Sequence, residues 1–257
     1  MIIPDLLKKK QRGERIAMLT AYDHPTARLL DEAGIDILLV GDSVANVVLG
    51  LKSTTEVGMD VMLHHAAAVV RGTKKALVVA DMPFEAYQLP GADPVAQARR
   101  FLAIGCHAVK VEWCDRCVDT VRALVTAGIP VMGHIGLTPQ TAEQLGGFKV
   151  QGKDPAAAAR ILEQARQLEL LGCFSVVLEC VPDLLAKEIT AALKIPAIGI
   201  GAGPFCDGQV LVVNDVLGLY GTPPRFVKQY VDLGALIRQA ALEYKEDVQQ
   251  GRFPAAG

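Results

Sequence analysis

Four short, mostly apolar runs in this 257-residue chain each lead into an acid: Ile37 to Gly41 into Asp42, Ala76 to Ala80 into Asp81, Ala108 to Val111 into Glu112, and Ser175 to Leu178 into Glu179. A β-branched run without polar alternation reads as a parallel strand buried on both faces, so the acid marks the strand's C-terminal end. In folds that alternate strands and helices, ligands bind at that rim, because the loops leaving the strands converge there. A single such acid reads as a solvated residue or a helix cap. Four in register repel one another, and a divalent cation is the simplest thing that offsets the repulsion. The pattern points to an enzyme with a metal.

The elements that must hold these acids follow from hydrophobic periodicity and its punctuation. A short N-terminal helix ends near Gln11, Arg15 to Thr20 reads as the first strand, and Pro25 to Ala33 as a helix that Gly34 stops. Asp93 before Pro94 and Asp154 before Pro155 are helix starts, a cap followed by a first-turn proline. The strand into Asp42 precedes a helix from about Gly58 to Thr73; Ile129 to Gly133 reads as strand five, Ile195 to Ile200 as strand seven and Val210 to Val213 as strand eight. Eight strands, each followed by a helix or a loop, favour a single (β/α)8 barrel over residues 1–250, with an N-terminal helix and extra C-terminal helices. Residues 251–257 are expected to be a disordered tail.

Composition narrows the partners. A hydrophobic fraction of 51% supplies a large core, and 26 Lys and Arg against 28 Asp and Glu leave no basic block for nucleic acid or an anionic membrane. A small-molecule ligand is the expectation. Lys8, Lys9 and Lys10 follow the apolar N-terminus, the reverse of a secretory signal, so a soluble, cytoplasmic protein is expected. Of six cysteines, Cys114 and Cys117 form a C-x-x-C, but no second pair completes a zinc site; free thiols are the simpler reading.

Longer blocks carry a resemblance. Met18 to Asp23 (M-L-T-A-Y-D), Val40 to Ser43 (V-G-D-S), Ala80 to Phe84 (A-D-M-P-F) and Val109 to Glu112 (V-K-V-E) resemble the ketopantoate hydroxymethyltransferase family. So do Gly133 to Gln140 (G-H-I-G-L-T-P-Q), Gly146 to Gly152, Leu178 to Pro182 and Gly199 to Val212. The resemblance implies a magnesium-dependent barrel enzyme, one Mg2+ per subunit, assembled as a homodecamer. It also implies the reaction: transfer of a hydroxymethyl group from 5,10-methylenetetrahydrofolate to 3-methyl-2-oxobutanoate, giving 2-dehydropantoate through a Mg-bound enolate in pantothenate synthesis.

Residue by residue, the resemblance makes Asp42 and Asp81 metal ligands and Glu112 a third acid at the metal, acting through water. Ser43 and Lys110 lie against the substrate's carboxylate or enolate oxygen, and His134 near its reacting end. Glu179 matches the general base, and its apolar neighbours Val176, Val177, Leu178 and Val181 suit a carboxylate that takes up a proton. A 2-oxo acid chelates one hard cation with its carboxylate and keto oxygens, which acidifies the adjacent carbon. Two positions depart from the family: Trp113 replaces a small residue after Glu112, and Asn214 replaces a histidine. The first could crowd or cover the mouth near Glu112, and neither touches Asp42, Asp81 or Glu179. Two other readings share these features, a metal-dependent carbon-carbon lyase of the phosphoenolpyruvate-mutase and isocitrate-lyase type, and a non-catalytic scaffold that binds a metabolite.

Overall fold

A computed structural model describes residues 1–142, 144, 147 and 149–254. The chain runs α1 (Ile3–Arg12), β1 (Ile16–Thr20), α2 (His24–Glu32), β2 (Ile37–Val40), α3 (Val44–Val47), α4 (Met59–Gly72), β3 (Leu77–Asp81), α5 (Pro94–Ala103) and β4 (Ala108–Glu112). It continues through α6 (Cys117–Thr126), β5 (Val131–Gly136), α7 (Pro155–Leu170), β6 (Ser175–Glu179), α8 (Asp183–Ala192), β7 (Ala197–Ile200), β8 (Gly208–Leu211), α9 (Val213–Val216) and α10 (Leu233–Gln249). The eight strands close in chain order into a parallel barrel, the expected (β/α)8 architecture. Residues Met1–Val210 form one compact unit, and the residues from Leu211 onward a second. Part of the tail expected to be disordered, 255–257, and Gly146 and Phe148 of the Gly146 to Gly152 block lie outside the described residues.

The helix starts read from Asp-Pro pairs are capped as expected. Asp93 accepts from the Ala96 N–H and Asp154 from the Ala157 N–H, each with proline in the first turn. The barrel interior is filled by Met18, Leu39, Val79, Met132, Val177, Ile198 and Val210. At the strands' N-terminal ends, Leu6 of α1 joins Ile16, Ile37 and Leu77, the first residues of β1, β2 and β3. Lys9 and Lys10 fix α1 there by ion pairs of 2.8 Å to Asp36 and 2.7 Å to Asp207. With that end packed by apolar side chains, the opposite end is left for polar ones.

Three strands begin two residues from where they are expected: β7 starts at Ala197 instead of Ile195, because the Ile195 N–H goes to Glu169 Oε1 and Pro196 has no N–H to offer, and β5 and β8 differ too. β5 starts two residues late, because the Ile129 N–H turns back to the Leu124 carbonyl and Pro130 has no N–H to offer a ladder. It then runs on to Gly136, so His134 sits inside the strand instead of at its end. β8 starts two residues early, at Gly208, where a Cβ would lie 2.4 Å from the Ile16 carbonyl; only glycine permits the approach to β1.

Gly136 shows how tightly the rim is built. Its φ is +94°, and an added Cβ would stand 2.3 Å from the Glu179 carbonyl. Gly136→Ala is therefore expected to cost more than the roughly 1 kcal/mol typical of alanine forced to positive φ. Gly128, at the end of α6 with φ +76° and open space around it, supplies the comparison. Urea denaturation should give the Gly136 variant the larger loss.

Candidate active site

Strand register brings the acids together. Across the parallel ladders Asp81 is level with Lys110, Glu112 with His134, and Gly136 with Glu179. Asp42 lies two residues beyond β2, after Gly41, and its backbone N–H donates to Asp81 Oδ2 at 3.0 Å. Gly41 is needed there, since a Cβ would sit 2.7 Å from Ser43 Oγ. Asp42, Asp81, Lys110, Glu112 and His134 are all at most 5% exposed. Glu179 is half-buried, as is Ser43, which shares a 2.8 Å hydrogen bond with the Tyr22 hydroxyl.

The positive groups are threaded between the acids. Lys110 Nζ is 2.9 Å from Asp81 Oδ1 and 3.8 Å from Glu112 Oε1. His134 Nδ1 is 3.3 Å from Glu112 Oε1, and its Nε2 is 3.2 Å from Glu179 Oε2. Burial opposes the charge on His134, as does Lys110, but Glu112 and Glu179 outweigh both and push the imidazole up to about 9. That shift favours the protonated ring, whose Nδ1 also lies 3.2 Å from Lys110 Nζ. Burial also disfavours charge on Glu112, yet His134 and Lys110 hold that carboxyl below its usual range. Lys110 is raised despite burial by Asp81, Glu112 and Asp42.

Asp42 is the group left over. Burial, then Asp81 and Glu112, hold its carboxyl well above the ordinary range, and burial raises Asp81 as well. Asp81 Oδ1 is buried against the Lys110 ammonium, its ion-pair partner at 2.9 Å. Asp42 uses Oδ2 to accept from Gln140 Nε2 at 2.8 Å. Two hard oxygens in a negative, desolvated pocket suit a divalent cation such as Mg2+. Among the described residues no group of three His, Cys, Asp or Glu side chains could hold one unaided, so water and substrate oxygens would have to complete its shell. Glu112 has Oε2 occupied by the Gln140 backbone N–H at 3.0 Å and Oε1 by His134, which leaves it an outer position.

The structure thus gathers all seven residues singled out by sequence. It adds three that sequence reading passed over: Tyr22 on Ser43, Gln140 on Asp42 and Glu112, and Tyr87, whose hydroxyl donates to Gln140 Oε1 at 2.7 Å and accepts from the Glu112 N–H at 3.2 Å. All three stand inside the blocks of the resemblance or beside them, but nothing in their uncharged side chains signals a role. Trp113 is half-buried and lines a cavity of about 220 Å3 with Cys114, Thr138, Gln151 and Arg160. All six cysteines are free, and burial raises both Cys114 and Cys117, so neither thiol of the C-x-x-C is poised as a thiolate. No helix of the described residues is long and apolar enough to cross a membrane.

Comparison with known proteins agrees with the geometry. A family model described as ketopantoate hydroxymethyltransferase matches residues 1–256. The 3-methyl-2-oxobutanoate hydroxymethyltransferase of Heliobacterium modesticaldum is 57% identical over 254 residues, 98% of this chain and 92% of that one. The enzymes of that name from Syntrophomonas wolfei and Hyperthermus butylicus are 54% and 52% identical, covering 97% and 99% of this chain and 91% and 88% of their own. Among solved structures, phosphoenolpyruvate phosphomutase from Streptomyces platensis has a TM-score of 0.64 at 14% identity, over 98% of this chain and 88% of its own. A 2,3-dimethylmalate lyase of the PEP mutase/isocitrate lyase superfamily has a TM-score of 0.60 at 16% identity, over 99% and 89%. At such identities these two show a shared fold and no more.

The raised imidazole has a consequence for stability. A group whose folded pKa exceeds its unfolded value stabilises fully below the unfolded value, near 6.5, and loses that contribution as pH rises through the folded value, about 9. Thermal melting of the metal-free protein should therefore fall between pH 6.5 and 9. His134→Gln should flatten the profile across that window.

Proposed function

The chain belongs to the ketopantoate hydroxymethyltransferase family, whose enzymes serve pantothenate biosynthesis, and we propose that it transfers a hydroxymethyl group from 5,10-methylenetetrahydrofolate to 3-methyl-2-oxobutanoate. The products are 2-dehydropantoate and tetrahydrofolate. The observation that supports this reading is the pair of buried carboxylates Asp42 and Asp81, joined by the Asp42 N–H to Asp81 Oδ2, with Lys110 2.9 Å from Asp81 Oδ1 and an arc of Glu112 and His134 that ends in Glu179.

Asp42 and Asp81 would hold Mg2+ directly, with Glu112 reaching it through water. Bound there, Mg2+ would draw electron density from the keto oxygen of the 2-oxo acid and so acidify C3. Every other task falls to the chain's own groups. Glu179 takes the C3 proton, and His134, 3.2 Å away and favoured in its protonated form, stabilises the carboxylate beforehand and can donate a proton afterwards. Lys110 lies where it can offset charge on the oxygen as the C3–H electron pair moves toward it. Ser43, held by Tyr22, offers a hydroxyl to the substrate carboxylate. C3 then bonds the methylene carbon as its two C–N bonds to the folate break; water supplies the hydroxyl group, and its other proton, with the one taken from C3, ends on the two nitrogens of tetrahydrofolate.

The lyase alternative shares the fold, but its representatives are 14% and 16% identical, against more than 50% for the transferases. The scaffold alternative predicts loss of an acid, and Asp42, Asp81 and Glu179 are all present. A homodecamer belongs to the same proposal. It is supported by α10, which buries none of its residues and exposes Leu236, Ile237, Leu242 and Tyr244.

In D2O with Mg2+, the C3 proton of 3-methyl-2-oxobutanoate should exchange for deuterium, followed by proton NMR, and EDTA should stop the exchange. Glu179→Gln should slow it by about 10²- to 10⁴-fold, the usual worth of a placed base, while the oxo acid still binds. Undiminished exchange in that variant would reassign the base. Exchange indifferent to EDTA would remove the metal from the reaction.

A further inference from the structure

Gln140 carries no charge, yet it touches two of the buried acids at once. It sits in a single helical turn, Pro139–Thr141, just after β5, and is 6% exposed. Its backbone N–H donates to Glu112 Oε2 at 3.0 Å, while its side-chain Nε2 donates to Asp42 Oδ2 at 2.8 Å and to the Met82 carbonyl at 3.0 Å. Its Oε1 accepts from the Tyr87 hydroxyl at 2.7 Å and from Gln88 Nε2 at 2.9 Å.

We propose that Gln140 is a positioning residue that fixes the Asp42 carboxylate for a divalent cation and couples it to Glu112. The inference rests on the metal reading given above and goes beyond it in assigning the orientation of Asp42 to a neutral side chain.

The bond inventory explains why an amide serves. Both amide protons and both acceptor sites are used, so the group is fully satisfied and has one orientation. Turned over, it would set its oxygen against the Asp42 carboxylate and the Met82 carbonyl, two acceptors. Tyr87 and Gln88 oppose that rotation from the other side. Asp42 therefore always meets a donor at Oδ2, which reserves the remaining oxygen for a single bond to the cation. One-oxygen ligation suits the strict octahedron of Mg2+ better than chelation by both oxygens. A charged donor in this place would neutralise Asp42 and compete with the cation; an amide orients without competing. Tyr87 closes the loop, because the hydroxyl that holds Gln140 also accepts from the Glu112 backbone. Partners of this kind behind a ligand typically change metal affinity 10- to 100-fold when removed.

The test uses Mn2+ as probe, its free fraction read by electron paramagnetic resonance in the absence of substrate. Gln140→Leu keeps the volume and the backbone N–H but loses the amide; it should weaken Mn2+ binding by about 10- to 100-fold. Tyr87→Phe leaves Gln140 in place but unlocked and should weaken binding by a smaller factor. In both variants C3 exchange of the oxo acid should recover toward the wild-type rate as Mn2+ is raised, a split that a merely structural lesion would not produce. If Gln140→Leu fails to fold, Tyr87→Phe decides the matter. Wild-type affinity in a folded variant would overturn the role of Gln140 alone. A wild-type protein that binds no Mn2+ would overturn the metal reading and this inference with it.

Discussion

Four carboxylates converge on one end of a barrel, and three of them, Asp42, Asp81 and Glu112, are cut off from water. Each buried charge forfeits hydration worth several kcal/mol even after the protein relaxes around it. Lys110 and His134 answer part of that cost. They are spread over Asp81, Glu112 and Glu179, and Asp42 receives the Gln140 amide and, from further off, the field of Lys110. Burial first, then repulsion from Asp81 and Glu112, makes Asp42 hold its proton more tightly than an ordinary aspartate. A fold that only needed stability would have replaced such a cluster with apolar side chains of similar volume. Its presence at the strands' C-terminal rim is intelligible as a site held open for a positive ion.

The barrel meets this constraint through register. Parallel pairing sets Asp81 level with Lys110 and Glu112 level with His134, so acids and bases alternate around the mouth without any loop having to place them. The loops contribute where the strands stop. Gly41 lets Asp42 and Ser43 turn inward, Gly136 passes close against the Glu179 carbonyl, and the turn at Pro139–Thr141 delivers Gln140. Packing of α1 across the opposite end keeps the interior dry there, which leaves a single polar end.

The acids were legible in the sequence because they interrupt apolar runs, and the interruption carries its own explanation: a buried strand ends where a charge is tolerated. The same logic named the strands and the capped helices. It placed β5 too early, since the apolar Ile129 looks like strand although its N–H closes the preceding helix, and this also misplaced His134 by a turn of the ladder. It placed β8 too late, because glycine and glutamine at 208 and 209 carry no strand signal, while the contact that requires Gly208 is with β1, far away in the chain. Tyr22, Tyr87 and Gln140 were invisible for a related reason. Their hydrogen bonds cross 21, 53 and 98 residues of sequence to Ser43, Gln140 and Asp42, and an uncharged side chain announces nothing until its partners are known.

The central claim is that the buried carboxylates of Asp42 and Asp81 share one divalent cation. Anomalous X-ray diffraction from crystals grown with Mn2+ and 3-methyl-2-oxobutanoate tests it most directly. The account predicts one anomalous peak per subunit, bonded by one oxygen from each of Asp42 and Asp81 and by the carboxylate and keto oxygens of the substrate. A peak elsewhere, or a substrate seated in this pocket with no peak beside it, would contradict the account.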